Sequence, residues 1–184
     1  RDRFLRTILE PENLSAQSNC NPIHVENLNP GTSDWMLSNP ANDSDHQVKG
    51  YASATSVNVG DAITFFVSVD VPQTYTIDVF RVGWYGGLGA RLMTEIGPLN
   101  GIVQPELDID EDIGLIVAPW LASYSLTIPN SWVSGIYLAK LTNANGYDNY
   151  IVFTVRDDNR SAEILYQQSV TTDQAYNNYP DDDS

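Results

Sequence analysis

Apolar residues recur at every second position through much of this chain, and that period leaves little choice of fold. Ile63, Phe65, Val67 and Val69 alternate with Thr64, Phe66, Ser68 and Asp70, and Tyr75, Ile77 and Val79 alternate with Thr76, Asp78 and Phe80. A period of two puts one set of side chains on one face of a strand, whereas a helix needs apolar residues three and four apart. The pattern returns at Tyr124, Leu126 and Ile128, over 136–141 and over 150–155, with shorter candidates at 24–27, 35–37 and 51–57. That predicts about seven or eight strands, with no helix of about ten residues or more between them.

Turn chemistry falls between these runs at Asn29-Pro30-Gly31, Asn39-Pro40, Val59-Gly60-Asp61, Gly86-Gly87, Ser134-Gly135 and Asn145-Gly146. The last predicts a hairpin, because Asn and Gly both tolerate positive φ. Antiparallel strands without intervening helices pack as two sheets, so the expected fold is all-β, an immunoglobulin-like antiparallel β-sandwich. Gly135-Ile136-Tyr137-Leu138-Ala139 has the spacing of a tyrosine corner, with Ala139 where an antibody domain carries its second cysteine.

Composition narrows the function classes. Of 184 residues, 24 are Asp or Glu and 9 are Lys or Arg, a formal charge of −15 that repels phosphate backbones and anionic lipid headgroups. Neither nucleic acid nor membrane insertion is expected; the most apolar stretch, 113–121, is cut by Pro119 and falls short of the roughly 18 residues of a span. The single cysteine, Cys20, excludes an intrachain disulfide and a thiolate metal cluster, and the compartment stays open: a soluble protein, bacterial cytoplasmic or secreted. Residues 1–21 read as a linker, 22–157 as the sandwich, and 158–184 as the truncated start of a second domain. A short charged linker, Arg156-Asp157-Asp158-Asn159-Arg160, leads into that last segment, and an apolar strand is expected over 162–167.

No catalytic residue is assigned. There is no G-x-S-x-G elbow, His24 and His46 have no recognisable nucleophile beside them, and no histidine spacing suits zinc. The acidic run 108–112 resembles the opening of a calcium loop, but Gly114 falls one position late and Pro119 stands where a bidentate glutamate belongs, so it reads as a solvated loop. Gly83-Trp84-Tyr85-Gly86-Gly87-Leu88-Gly89 lacks the Lys-Ser/Thr of a phosphate loop and reads as a tight turn presenting two aromatics. Trp84 and Tyr85 are therefore the candidate binding residues, suited to a glycan, a protein ligand or a neighbouring domain.

The strings NPIHVENLNPGTSDW (21–35), GYASATSVNVGDAITFFVS (50–68), FRVGWYGGLGARL (80–92), SYSLTIPNSWVSGIYLAKLT (123–142), YIVFTVRDD (150–158) and ILYQQSVTTDQAYNNY (164–179) resemble the family of the N,N-dimethylformamidase large (beta) subunit. The resemblance implies an immunoglobulin-like sandwich preceding an amidotransferase-like α/β catalytic domain. It further implies a parent enzyme that hydrolyses the C–N bond of linear amides with an iron held by tyrosine and glutamate, hard donors that suit a Lewis-acidic ion. This chain would then be a non-catalytic module with its own catalytic domain or sister subunits as partners. No cofactor is expected in it, iron belongs to the full-length parent, and Tyr176 is the candidate metal ligand. Asp173 departs from the tyrosine that relatives commonly carry there, and Tyr179-Pro180-Asp181 departs from a glycine-rich continuation. The alternative is a stand-alone carbohydrate- or protein-binding sandwich.

Overall fold

The computed structural model describes residues 21–176, apart from 43, 111, 114 and 163; of the linker read over 1–21, residues 1–20 lie outside the described residues, and Asn21 caps a helix. Among those described, ten strands form two packed sheets and one hairpin. The smaller sheet has the order β1 (Val48–Ala52), β3 (Ala62–Val69), β8 (Tyr124–Thr127) and is antiparallel throughout. The larger runs β2 (Ser56–Asn58), β10 (Asp148–Arg156), β9 (Gly135–Asn143), β4 (Thr74–Val82), β5 (Ala90–Asn100), antiparallel except for β2 beside β10. Strands β6 (Asp108–Asp110) and β7 (Leu115–Val117) pair only with each other. The protein is an all-β sandwich.

Alternation explains the core. Ile63, Phe65, Val67 and Val69 of the smaller sheet face Tyr75, Ile77, Val79, Tyr137, Ala139, Leu141, Ile151 and Phe153 of the larger, all buried in one cluster. Ala139 lies opposite both Val79 and Ile151, and its small side chain leaves room for the facing sheet to pack closely. Aromatic rings run through the middle: Trp132 stacks on Tyr137 at 5.0 Å, and Phe153 meets both Tyr137 and Phe65 at 5.7 Å. The Tyr137 hydroxyl donates to the Val133 carbonyl at 2.7 Å, the backbone bond that the corner spacing calls for. The β9–β10 hairpin closes as expected, although only Gly146 takes positive φ (80°) and Asn145 does not.

Three short strand expectations are corrected. Residues 24–27 lie in or just after a helix, α1 (Pro22–Glu26), because the Asn21 side chain accepts from the Ile23 and His24 amides and Pro22 is preset for the first turn. Residues 35–37 form no strand; Lys140 and Tyr150 side chains take the Met36 and Trp35 carbonyls instead. The run 51–57 is two strands in different sheets, with a crossing at 53–55. Strand β5 was not foreseen: its pairing with β4 is broken by two register shifts, and it carries Gly97-Pro98 at an edge, so alternation is lost. The strand expected over 162–167 is also absent: residues 164–169 have no regular structure, and α2 (Val170–Ala175) follows.

Residues 21–41 form a strap over the outer face of the larger sheet. Phe80 and Leu138 point away from the inter-sheet core by alternation yet are 2% and 8% exposed. The neighbours that share this face hold the strap. Lys140 Nζ donates to the Asp34 and Met36 carbonyls, and the Asp148 carboxylate accepts from the Ser38 amide and hydroxyl and the Asn39 amide at 2.8–3.2 Å.

Candidate functional site at the Trp84 end of the sandwich

The register brings four chain segments to one end. Val82 pairs with Ala90, Arg81 with Tyr137, and Val155 with Gly135, so the 83–89 loop, the 129–134 loop, the start of β9 and the exit of the chain from β10 lie together. Helix α1 joins them, because Glu26 reaches the 83–89 loop and β5 through Tyr85 and Arg91.

The two candidate aromatics part company here. Trp84 is 71% exposed, as expected, whereas Tyr85 is 1% exposed and belongs to the interior. The reversal follows from the loop's geometry. Tyr85 begins a 3₁₀ turn (Tyr85–Gly87) at φ 40°, and Gly86, Gly87 and Gly89 supply further positive-φ positions, so the backbone reverses and turns the phenol inward. Its hydroxyl donates to Glu26 Oε1 at 2.9 Å and receives a bond from Arg81 Nη1 at 3.0 Å. Burial pushes the phenol pKa up, with Arg81 opposing and Glu26 reinforcing, so Tyr85 stays protonated and keeps donating.

Arg81, 2% exposed, is the hub. Its guanidinium donates to Tyr85 and to the Val133 and Ser134 carbonyls, and Glu26 closes an ion pair with Arg91 at 2.7 Å. A buried guanidinium must spend its donors on partners or destabilise the fold by several kcal/mol, about 3–5 when a partner is lost. Every group in this network therefore has a defined place. The signal in the sequence was Arg81 inside an apolar strand, between Phe80 and Val82; Glu26 and Asn27 carried none.

Trp84 is consequently an exposed side chain on a fixed backbone. Asn27 Oδ1 accepts from both the Trp84 and Tyr85 amides, and a Cβ at Gly83 would lie 2.6 Å from that oxygen. Around Trp84 the surface is apolar, with Val82 and Leu88 beside the loop and Val25 and Leu28 on or just after α1, all exposed. The chain leaves from the same end: the Asp158 amide donates to Asn58, and Arg160 reaches Asp157 and the Ser134 hydroxyl. Ile164 and Leu165 then follow at 84% and 93% exposure.

The remaining sites do not assemble. Tyr176, just after α2, is 85% exposed, and among the described residues no group of three or more His, Cys, Asp or Glu could hold a metal ion. The acidic run lies in the β6–β7 hairpin. His24 lies on α1, and His46 Nδ1 is 2.9 Å from Lys49 Nζ. No described helix is long and apolar enough to cross a membrane.

A family described as "N,N-dimethylformamidase beta subunit-like, C-terminal" matches residues 76–183. The chain belongs to this family. The match opens inside β4 and runs past α2, so this dimethylformamidase-like region takes in the Trp84 loop, the tyrosine corner and the exit segment in one piece. No curated protein matches. Among solved structures, the chain is similar to the Pseudomonas fluorescens alkylpurine DNA glycosylase AlkC bound to DNA containing an abasic site analog. The identity is 16% and the TM-score 0.32, over 60% of this chain and 30% of that one.

Proposed function

We propose that residues 22–157 are a non-catalytic, immunoglobulin-like module of a dimethylformamidase-like amide hydrolase. In this reading residues 158–184 begin an amidotransferase-like α/β catalytic domain, against which the Trp84 end docks. The observation that carries the reading is one of position: the exposed apolar surface of Val25, Leu28, Val82, Trp84 and Leu88 sits where the chain departs, followed by the bare Ile164-Leu165 pair. Apolar surface rimmed by polar groups is what a domain contact buries. The strand order, with the short β2 lying parallel to the last strand, β10, and the Tyr137 corner support the immunoglobulin-like assignment. Iron would belong to the catalytic domain.

The alternative, a stand-alone binding module gripping a glycan or protein between Trp84 and Tyr85, loses its second aromatic to the interior. Docking is tested by titrating the chain with the isolated catalytic region of a family member. Binding should weaken at least about tenfold in Trp84→Ala, and unchanged binding would overturn the surface assignment. Supplied with iron and dimethylformamide, the chain by itself should release no formate; turnover would overturn the non-catalytic reading.

A further inference from the structure

A second feature lies away from the Trp84 end, where the segment between β5 and β8 crosses the outside of the smaller sheet. Its stem is latched by Gln104, 7% exposed. The Gln104 side-chain amide donates to the Val67 and Leu121 carbonyls, its oxygen accepts from the Leu121 amide, and its own amide donates to Ser68 Oγ. Trp120 is fixed beside it: the indole N–H donates to the Pro105 carbonyl at 3.0 Å, and the ring packs on Tyr51, which itself stacks on Phe66 at 4.8 Å. These contacts contribute nothing to the inter-sheet core. They hold a wall.

Facing that wall is a cleft of about 190 Å³, lined by Trp120 and Glu106 from the stem, Asp70 from the end of β3, and Asp45, His46 and Lys49 from the approach to β1 and from β1 itself. Its chemistry excludes most ligand classes in turn. Three carboxylates in a chain of net charge −15 repel anions. The carboxylates and His46 do not converge as a metal site among the described residues; Asp45 Oδ2 already accepts from Asn42 and Gln47, and Asp70 Oδ1 from Val71 and Gln73, so the second oxygen of each is the acceptor offered to the cleft. The His46–Lys49 pair, with Nζ donating to Nδ1 and leaving Nε2–H as a donor, opposes an organic cation. A purely apolar ligand would strand these polar groups. The volume is below the roughly 300–1,000 Å³ of drug-sized sites, which fits a single small ring.

We propose that this cleft binds one neutral sugar ring, its C–H face against the Trp120 indole and its hydroxyls shared among Asp45, Asp70, Glu106 and His46. A pyranose offers donors and acceptors together around an apolar face, and the cleft presents the complement. The proposal stands independently of the docking role given to Trp84.

The four tryptophans, Trp35, Trp84, Trp120 and Trp132, give separate indole N–H signals in a nitrogen-labelled sample, which makes the test local. The intact chain is titrated with the methyl glycosides of glucose, galactose, mannose, xylose and N-acetylglucosamine. At least one should move the Trp120 signal saturably while Trp84 stays still. Glu106 is exposed, so Glu106→Gln will fold, and it should weaken that binding about tenfold. No movement of Trp120 with any of the five, movement of Trp84 instead, or unchanged affinity in Glu106→Gln would each overturn the proposal.

Discussion

The strap before the sandwich and the segment after it are built from similar material and behave differently. Each is a short helix joined to irregular chain, and each carries large apolar side chains: Val25, Leu28, Trp35 and Met36 in the strap, Ile164, Leu165 and Tyr166 in the exit segment. The strap is fastened to the larger sheet through Asp148, Lys140, Tyr150 and Arg91, whereas among the described residues the hydrogen bonds of 164–176 stay within that segment. Apolar content does not separate the two. Buried polar partners do, because a carboxylate such as Asp148, 1% exposed, holds the strap only in the one arrangement that satisfies it.

The comparison is broken most severely at the strap's hubs. Arg81→Ala should cost about 3–5 kcal/mol, since Tyr85 and two loop carbonyls lose their donor together, and the fall in Tm measured by calorimetry checks it. Asp148→Ala should cost about 3 kcal/mol by leaving the Ser38 and Asn39 amides without their acceptor and removing the ion pair that Asp148 makes with Lys140 at 3.4 Å. Denaturant unfolding measures this, and rapid amide exchange over 34–41 should accompany it. Burial raises the Asp148 pKa, but the hydrogen bonds from Ser38 and Asn39 and the Lys140 charge outweigh it and hold the carboxyl below its ordinary value. A depressed native pKa contributes stability that is fully present above the unfolded value and is lost as pH falls through the native one. The strap should therefore persist through the neutral range and loosen only in acid. Asp148→Asn should flatten that acid limb in a plot of Tm against pH.

Smaller effects sharpen the contrast from the other side. Tyr137→Phe should cost about 1 kcal/mol through the bond to Val133, and an unchanged unfolding midpoint would remove the corner from the account. Ending the chain after Arg160 should change stability by no more than about 0.5 kcal/mol, because among the described residues the hydrogen bonds of 164–176 stay within that segment; a larger loss in the same denaturant assay would show that the segment contributes to the fold.

The same physics decides how much was legible in the sequence. Alternation at 63–69, 75–79, 124–128 and 150–155 located strands buried on one face, and the Tyr137 spacing located the corner, because both are set by local periodicity. Strand β5 escaped since edge strands with register shifts lose alternation, and α1 escaped since an asparagine cap and one proline outweighed the pattern at 24–27. At the candidate site both aromatics were expected at the surface, and only Trp84 is exposed. Trp84 has helical backbone angles and Tyr85 opens a 3₁₀ turn at positive φ, and the run of left-handed positions that follows turns Tyr85 and not Trp84 inward. The partners of Tyr85, Glu26 and Arg81, lie 59 and 4 residues away, and only the Arg81 end is local enough to leave a trace.

Hydrogen exchange read by mass spectrometry, on the chain free and then mixed with the catalytic region of a family member, tests the docking account most directly. The account predicts that peptides covering 82–90 and 161–176 become protected together while the β6–β7 hairpin over 108–117 keeps its rate. Protection confined to that hairpin, or none anywhere, would contradict it.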